Sequence, residues 1–200
     1  MFRLVESIRI ENRQLQLIQL HNQRLNQARK ALFHAKSQIQ LEDFIIIPDN
    51  ISDLRHKCRV TTTDGEHFEV EITPYQQRKI ESLKLLVANH IQYEFKTDQR
   101  AELNKAYEQR GQCDDIIIVK NNLLTDSWAA NIILFDGNKW VTPDVPLLKG
   151  VQRENLIRLE QIHCRKIEVQ DLQCFQKIKL INALIDFDRA PEISLQLVIY

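Results

Sequence analysis

Glycine is scarce: four residues in 200. That leaves no glycine-rich phosphate loop of the Walker or dinucleotide-binding type, each of which needs several glycines in one short turn. Long apolar runs are missing too, and none approaches the roughly 18 residues that signal a membrane span. The opening Met1–Glu6 stretch lacks the apolar core of a signal peptide. The four cysteines, Cys58, Cys113, Cys164 and Cys174, form no CxxC pair, so reduced thiols in a cytoplasm are expected. His34, His56, His67 and His90 are scattered, and no pair has the spacing of a helical metal site; a metal enzyme is not expected. Neither charge sign dominates: 27 Lys and Arg balance 27 Asp and Glu. The balance removes any bulk electrostatic reason to bind nucleic acid or an anionic membrane.

What is present is an ordinary globular composition, 44% hydrophobic, long enough for one domain or two small lobes. Leu4–Ile10 alternates apolar and polar residues as a half-buried strand does, and Leu15–Ile18 is expected to be its hairpin partner. From Leu20 to Phe33 the spacing of Leu25, Ala28 and Leu32 predicts a helix. Ser52 is expected to cap a short stretch after Pro48-Asp49-Asn50. Asp64-Gly65 between Cys58–Thr63 and His67–Thr73 is a hairpin signal. A strand is expected at Lys84–Val87 and a helix over Gln99–Arg110, stopped by Gly111. Further strands follow: Ile116–Val119 before a turn at Asn121-Asn122, a pair around Asp136-Gly137, and Ile178–Leu184, with a helix from Val151 to Glu160. Strands dominate both halves, which predicts an α+β chain of two lobes, residues 1–88 and 99–200, joined by a linker at 89–98.

Several side chains can carry chemistry. Lys96, read as lying directly after a strand and before a helix with aromatic neighbours, is either a desolvated nucleophile for carbonyls or a solvated linker lysine. Asp126 is a candidate buried carboxylate or a turn-former. Gly150-Val151-Gln152 opens a helix, where free amides can hold phosphate. Taken alone, His21 and Arg24, about one turn apart, read as surface residues of an amphipathic helix. His163-Cys164 is poor geometry for a nucleophile and its base, since neighbours in sequence point different ways.

Taken together, these blocks resemble a known family. Glu6–Asn12 followed by His21-Asn22-Gln23-Arg24-Leu25 resembles the opening hairpin and H-x-x-R-L helix of class IV aminotransferases and aminodeoxychorismate lyases. Lys96-Thr97-Asp98-Gln99-Arg100 is similar to the K-T-T-N-R segment of lyase-like members. Asp114–Val119 and Leu124–Asn131 resemble the D-E and T-E-x-x-x-A-N blocks, Val141-Thr142-Pro143 and Leu148–Arg153 the T-P and L-x-G-I-x-R elements, and Asn182-Ala183-Leu184 a late N-A-L element. The resemblance implies a two-lobed fold-type IV enzyme, like D-amino acid aminotransferase but shortened, that uses pyridoxal 5'-phosphate.

Carried over by position, Lys96 would be the Schiff-base lysine and proton shuttle. Asp126 would pair with the pyridine nitrogen, and Arg24 with the amides of Val151 and Gln152 would hold the phosphate, with Gly150 in the same cofactor site. Ser7 would stand near the reacting centre; Arg59 and Arg100 would bind a substrate carboxylate. The implied reaction is cleavage of 4-amino-4-deoxychorismate to 4-aminobenzoate and pyruvate in folate synthesis. The alternatives are an aminotransferase acting on branched-chain or D-amino acids, and a non-catalytic homologue. A homodimer acting on a small molecule, without nucleic acid or membrane, is implied as well. This sequence departs from the family pattern in starting at the first hairpin, in a shortened middle around Asp64-Gly65, in Gln99 where asparagine is frequent, and in Asp126 where glutamate is usual.

Overall fold

A computed structural model describes residues 2–199. The chain divides into two compact units. Unit 1 extends to Gln77 and also holds Phe95–Gln99; unit 2 holds Arg78–Glu94 and everything from Arg100.

Unit 1 is an antiparallel sheet with one long helix on it. Its strands are β1 (Leu4–Glu11), β2 (Gln14–Leu15), β3 (His56–Thr62) and β4 (Glu69–Pro74), in the order β2-β1-β3-β4. Alternation sends Leu4, Ile8 and Ile10 to one face, where they pack with Leu25 and Ala28 of helix α1 (Ile18–Phe33) and with Cys58 and Val60. The expected strand Leu15–Ile18 is cut short. Leu17 takes a left-handed φ of 55°, and Ile18 is already the first helical residue. Ser52 caps no helix, because the chain after it enters β3 instead.

The buried stripe of α1 is partly polar, and each polar member has a task. Asn22 Oδ1 accepts from Leu41 N, while its Nδ2 donates to Gln40 and Glu42. Arg29 donates to the carbonyls of Ser37 and Gly65. The β3–β4 hairpin turns at Asp64-Gly65 as expected. Gly65 has φ +79°, and a Cβ there would lie 2.8 Å from the Phe33 ring, so the turn needs glycine for both conformation and space.

Unit 2 contains two sheets. One, in the order β13-β5-β6-β7, joins β5 (Leu83–Val87), β6 (Asp115–Lys120), β7 (Leu123–Leu124) and β13 (Val198–Ile199). The other, in the order β10-β9-β8-β11-β12, joins β8 (Asn131–Phe135), β9 (Trp140–Pro143), β10 (His163–Arg165), β11 (Lys177–Ile181) and β12 (Glu192–Ser194). Leu85, Ile117 and Val119 of the first meet Ile132, Leu134, Ile178 and Leu180 of the second in one core. The other face of β6, Ile116 and Ile118, packs on Leu103 and Ala106 of helix α2 (Ala101–Glu108). Burial on both faces explains the unbroken Ile-Ile-Ile-Val run.

Asn121 and Asn122 both take positive φ, 50° and 66°, as a two-residue hairpin demands. The expected strand Ile178–Leu184 ends at Ile181 and passes into a turn. Helix α3 spans Val151–Arg158. No helix among the described residues is long and apolar enough to cross a membrane.

Candidate active site

Lys96 does not directly follow a strand: β5 ends nine residues earlier, at Val87. It gains strand geometry by lying along β1. Val5 N donates to Lys96 O at 2.9 Å, and Asp98 N donates to Arg3 O at 3.1 Å, with Leu4 opposite Thr97. Arg3 closes the segment, its backbone N–H donating to Asp98 Oδ1 and its Nε pairing with Oδ2 at 3.3 Å. This register sets Lys96 opposite Val5. Opposed residues share a face, so Lys96 falls on the face of Val5, Ser7 and Arg9, with Thr61, Arg59 and Lys57 beside them on β3. Phe95 falls on the other face, in the α1 core. Lys96, Ser7 and Arg59 are all half-buried.

Where β1 meets α1, Arg24, carried over above as a phosphate ligand, joins Glu6 and His21, to which the sequence analysis gave no role. Glu6, 2% exposed, accepts from Arg24 Nε on Oε1 at 2.9 Å and from Arg24 Nη2 on Oε2 at 2.5 Å. Oε2 also accepts from His21 Nδ1 at 2.6 Å. Burial pushes the Glu6 carboxyl up, but Arg24 and His21 outweigh it and hold it at about 2. His21 is fully buried, not a surface residue as its isolated reading suggests. Burial lowers its proton affinity, with Arg24 and Lys96 acting the same way against the pull of Glu6. The Nδ1 proton serves Glu6, which leaves Nε2 of the neutral ring as an acceptor, buried and without a hydrogen-bond partner among the described residues. Two of Arg24's five N–H groups go to Glu6; the other three make no hydrogen bond among those residues. The available signal was Glu6 itself, a charge in phase with the apolar Leu4, Ile8 and Ile10.

Asp126 anchors a second cluster, within unit 2. It is 5% exposed. Its Oδ1 accepts from Asn131 Nδ2 at 2.7 Å and its Oδ2 from Leu148 N at 2.9 Å. Burial raises its carboxyl to about 6, against Leu148 N, Asn131, the Arg153 charge and the Leu147 backbone N–H. Gly150 lies against the same asparagine, and Val151 and Gln152 follow it as buried residues at the start of α3. No side chain caps that helix start, so its first-turn amides are not taken up by a cap. Arg153, buried, donates to Thr142 Oγ1, Pro143 O and Cys164 Sγ, tying α3 to β9 and β10.

Arg100 belongs to a different cluster of unit 2. Its Nη1 donates to Tyr93 Oη at 3.3 Å and its Nη2 to Trp128 O at 2.5 Å, and the guanidinium lies over both rings. Trp128 stacks on Tyr107 with centroids 4.5 Å apart, and Arg78 lies over both. No group of three or more metal-ligating side chains is gathered among the described residues.

The family profile described as amino-transferase class IV matches residues 3–190. The chain belongs to the class IV aminotransferase family. Members of this family are pyridoxal-phosphate enzymes of fold type IV, and the chain shares that α+β fold. An uncharacterised protein of Haemophilus influenzae is 34% identical over 187 residues, 92% of this chain and 98% of the other. A crystal structure of a candidate 4-amino-4-deoxychorismate lyase from Haemophilus somnus is 31% identical, with a TM-score of 0.83 over 92% of this chain and 97% of the other. A candidate amino-acid aminotransferase from Mesorhizobium loti, 17% identical, shares the fold over the full length of both chains, with a TM-score of 0.83. The compact class IV scaffold therefore recurs in other proteins at this size.

Proposed function

We propose that this class IV protein binds pyridoxal 5'-phosphate through Lys96 and cleaves 4-amino-4-deoxychorismate to 4-aminobenzoate and pyruvate. The observation that carries the reading is the pinning of Lys96 along β1, half-buried, on the face of Ser7 and Arg59. The 31% identity to the Haemophilus somnus protein supports the choice of substrate.

The donor chemistry fits the cofactor. Arg24 has three N–H groups to offer a phosphate, and its bidentate hold on Glu6 orients the guanidinium. Within unit 2, the first-turn amides of Val151 and Gln152, directly after Gly150, are donors of the kind a phosphate takes. Asp126, anionic above about pH 6, would keep a ring nitrogen protonated. When bound, the cofactor supplies an electron sink for the pair left at the substrate's α-carbon. The chain's own residues supply the rest. The Lys96 amine takes the proton from that carbon and is then placed to give it to the departing enolpyruvyl group. The Ser7 hydroxyl stands on the same face as a hydrogen-bond donor, and Arg59 offers a fork to a carboxylate. Arg100, whose N–H groups serve Tyr93 and Trp128, has a clamping role in this reading. The two products together contain every atom of the substrate, so no co-substrate is required. A homodimer is proposed on the family resemblance, and sedimentation equilibrium tests it.

The experiment is borohydride reduction of the yellow protein, peptide mapping of the modified lysine, and assay of released 4-aminobenzoate and pyruvate. The label is expected on Lys96, and Lys96→Ala should lose both the absorbance band and the products. Conversion of the bound cofactor to its amine form by an amino acid, without 4-aminobenzoate, would point to an aminotransferase instead. A colourless protein that takes up no added cofactor would sink the enzymatic reading.

A further inference from the structure

The face of the unit 1 sheet opposite α1 carries more positive charge than its own side chains neutralise. Register places Ser7 opposite Arg59 and Arg9 opposite Lys57, and Arg55 directly precedes β3. Glu11 answers two of these cations, pairing with Arg9 at 3.3 Å and Arg55 at 3.2 Å. Arg59 and Lys57 are left. Both are half-buried, and neither makes a hydrogen bond or ion pair among the described residues; nor does the hydroxyl of Ser7, opposite Arg59. The nearest carboxylate in register is Glu71 of β4, opposite Arg59. It is exposed and makes no ion pair with Arg59.

Partial burial of an unpaired cation is unfavourable, and like charges opposed across strands repel, as Arg9 and Lys57 are. Two residues apart on one strand, Lys57 and Arg59 are spaced about 7 Å along β3, so one carboxylate can engage both flexible heads. Buried Val5 and Thr61 complete the same face beside Lys96. The arrangement is that of an anion seat sharing a face with the reactive amine.

We propose that Lys57 and Arg59, with Ser7, form a specificity row that selects amino substrates bearing a second carboxylate away from the reacting amine. The inference rests on the assignment of Lys96 as the reactive lysine. An aliphatic side chain in this place would leave both cations unanswered and would be rejected for that reason.

The test is calorimetric titration of the cofactor-loaded protein with glutarate, a dicarboxylate, and with 4-methylpentanoate, a branched monocarboxylate. Glutarate should bind about tenfold more tightly or better, the scale of one charge-assisted contact. Lys57→Gln and Arg59→Gln should each erase most of that ratio, and Arg59→Lys should restore part of it. Cofactor uptake and melting temperature should match the wild type in all three, which shows that the variants are folded. Equal affinities in the wild type, or variants that weaken both ligands alike, overturn the row. Borohydride labelling of the same preparations separates the two readings. A label on Lys96 with no glutarate preference removes this inference and leaves the cofactor assignment standing. A glutarate preference without a label removes the cofactor assignment and leaves an anion seat.

Discussion

A methyl group on Gly150 would sit 2.0 Å from Asn131 Oδ1. Gly150 has an ordinary φ of −71°, so glycine is required here for space and not for backbone conformation. Asn131 in turn donates to Asp126 and to Leu148 O. The glycine therefore governs the setting of the buried carboxylate.

Gly150→Ala should destabilise the protein by roughly 1–3 kcal/mol through overpacking, read as a lower denaturant midpoint. Asn131→Ala removes the obstacle and loses its own hydrogen bonds. The double variant should therefore cost clearly less than the two singles together, a coupling that a double-mutant cycle measures. Additive losses would show that the two residues do not meet.

The acid limb of stability should fall in two steps. His21 has its proton affinity lowered from 6.5 by burial first. The unfolded chain therefore takes that proton more readily, and stability begins to fall below about pH 6.5. Glu6, with an ordinary value of 4.5, is held at about 2: burial opposes this, and Arg24 and His21 outweigh it. Its share is complete above about pH 4.5 and is lost as the pH falls toward 2, on the order of 3 kcal/mol. His21→Gln keeps a donor and does not titrate, so it should abolish the upper step alone. Glu6→Gln should abolish the lower step, and at neutral pH it should destabilise by about 3–5 kcal/mol by leaving Arg24 without its partner. Unfolding midpoints measured from pH 8 to pH 3 decide the matter.

Much of this fold was readable because its signals are local. Asp64-Gly65, Asn121-Asn122 and Asp136-Gly137 each specify a turn by their own backbone preferences, and the strands around them followed. The start of α1 was misjudged because Leu17, an unfavoured residue for positive φ, turns the chain where sequence gives no warning. His21 was misread for a different reason: its partner Glu6 lies on another element, and burial of a histidine depends on that partner. Lys96 was singled out through family order, and its position along β1 joins residues more than ninety apart in sequence, which no local pattern encodes. The parallel pairing of β5 with β6 and β13 is illegible on the same ground.

Arg100→Lys separates two roles for one residue. Lysine keeps the charge but cannot stack as a plane on Tyr93 and Trp128 or donate to both. A clamp predicts a lowered melting temperature, about 1–2 kcal/mol of lost stability, with KM nearly unchanged. A substrate contact predicts the reverse: a raised KM and an intact melting curve.

The aromatic ladder has a practical consequence for spectroscopy. The chain's two tryptophans, Trp128 and Trp140, both belong to unit 2. Indole emission therefore follows that half of the polypeptide and is silent about the half that holds Lys96. A single sharp fluorescence transition would say nothing about whether the lysine's own scaffold had already come apart, which amide exchange along β1 would reveal.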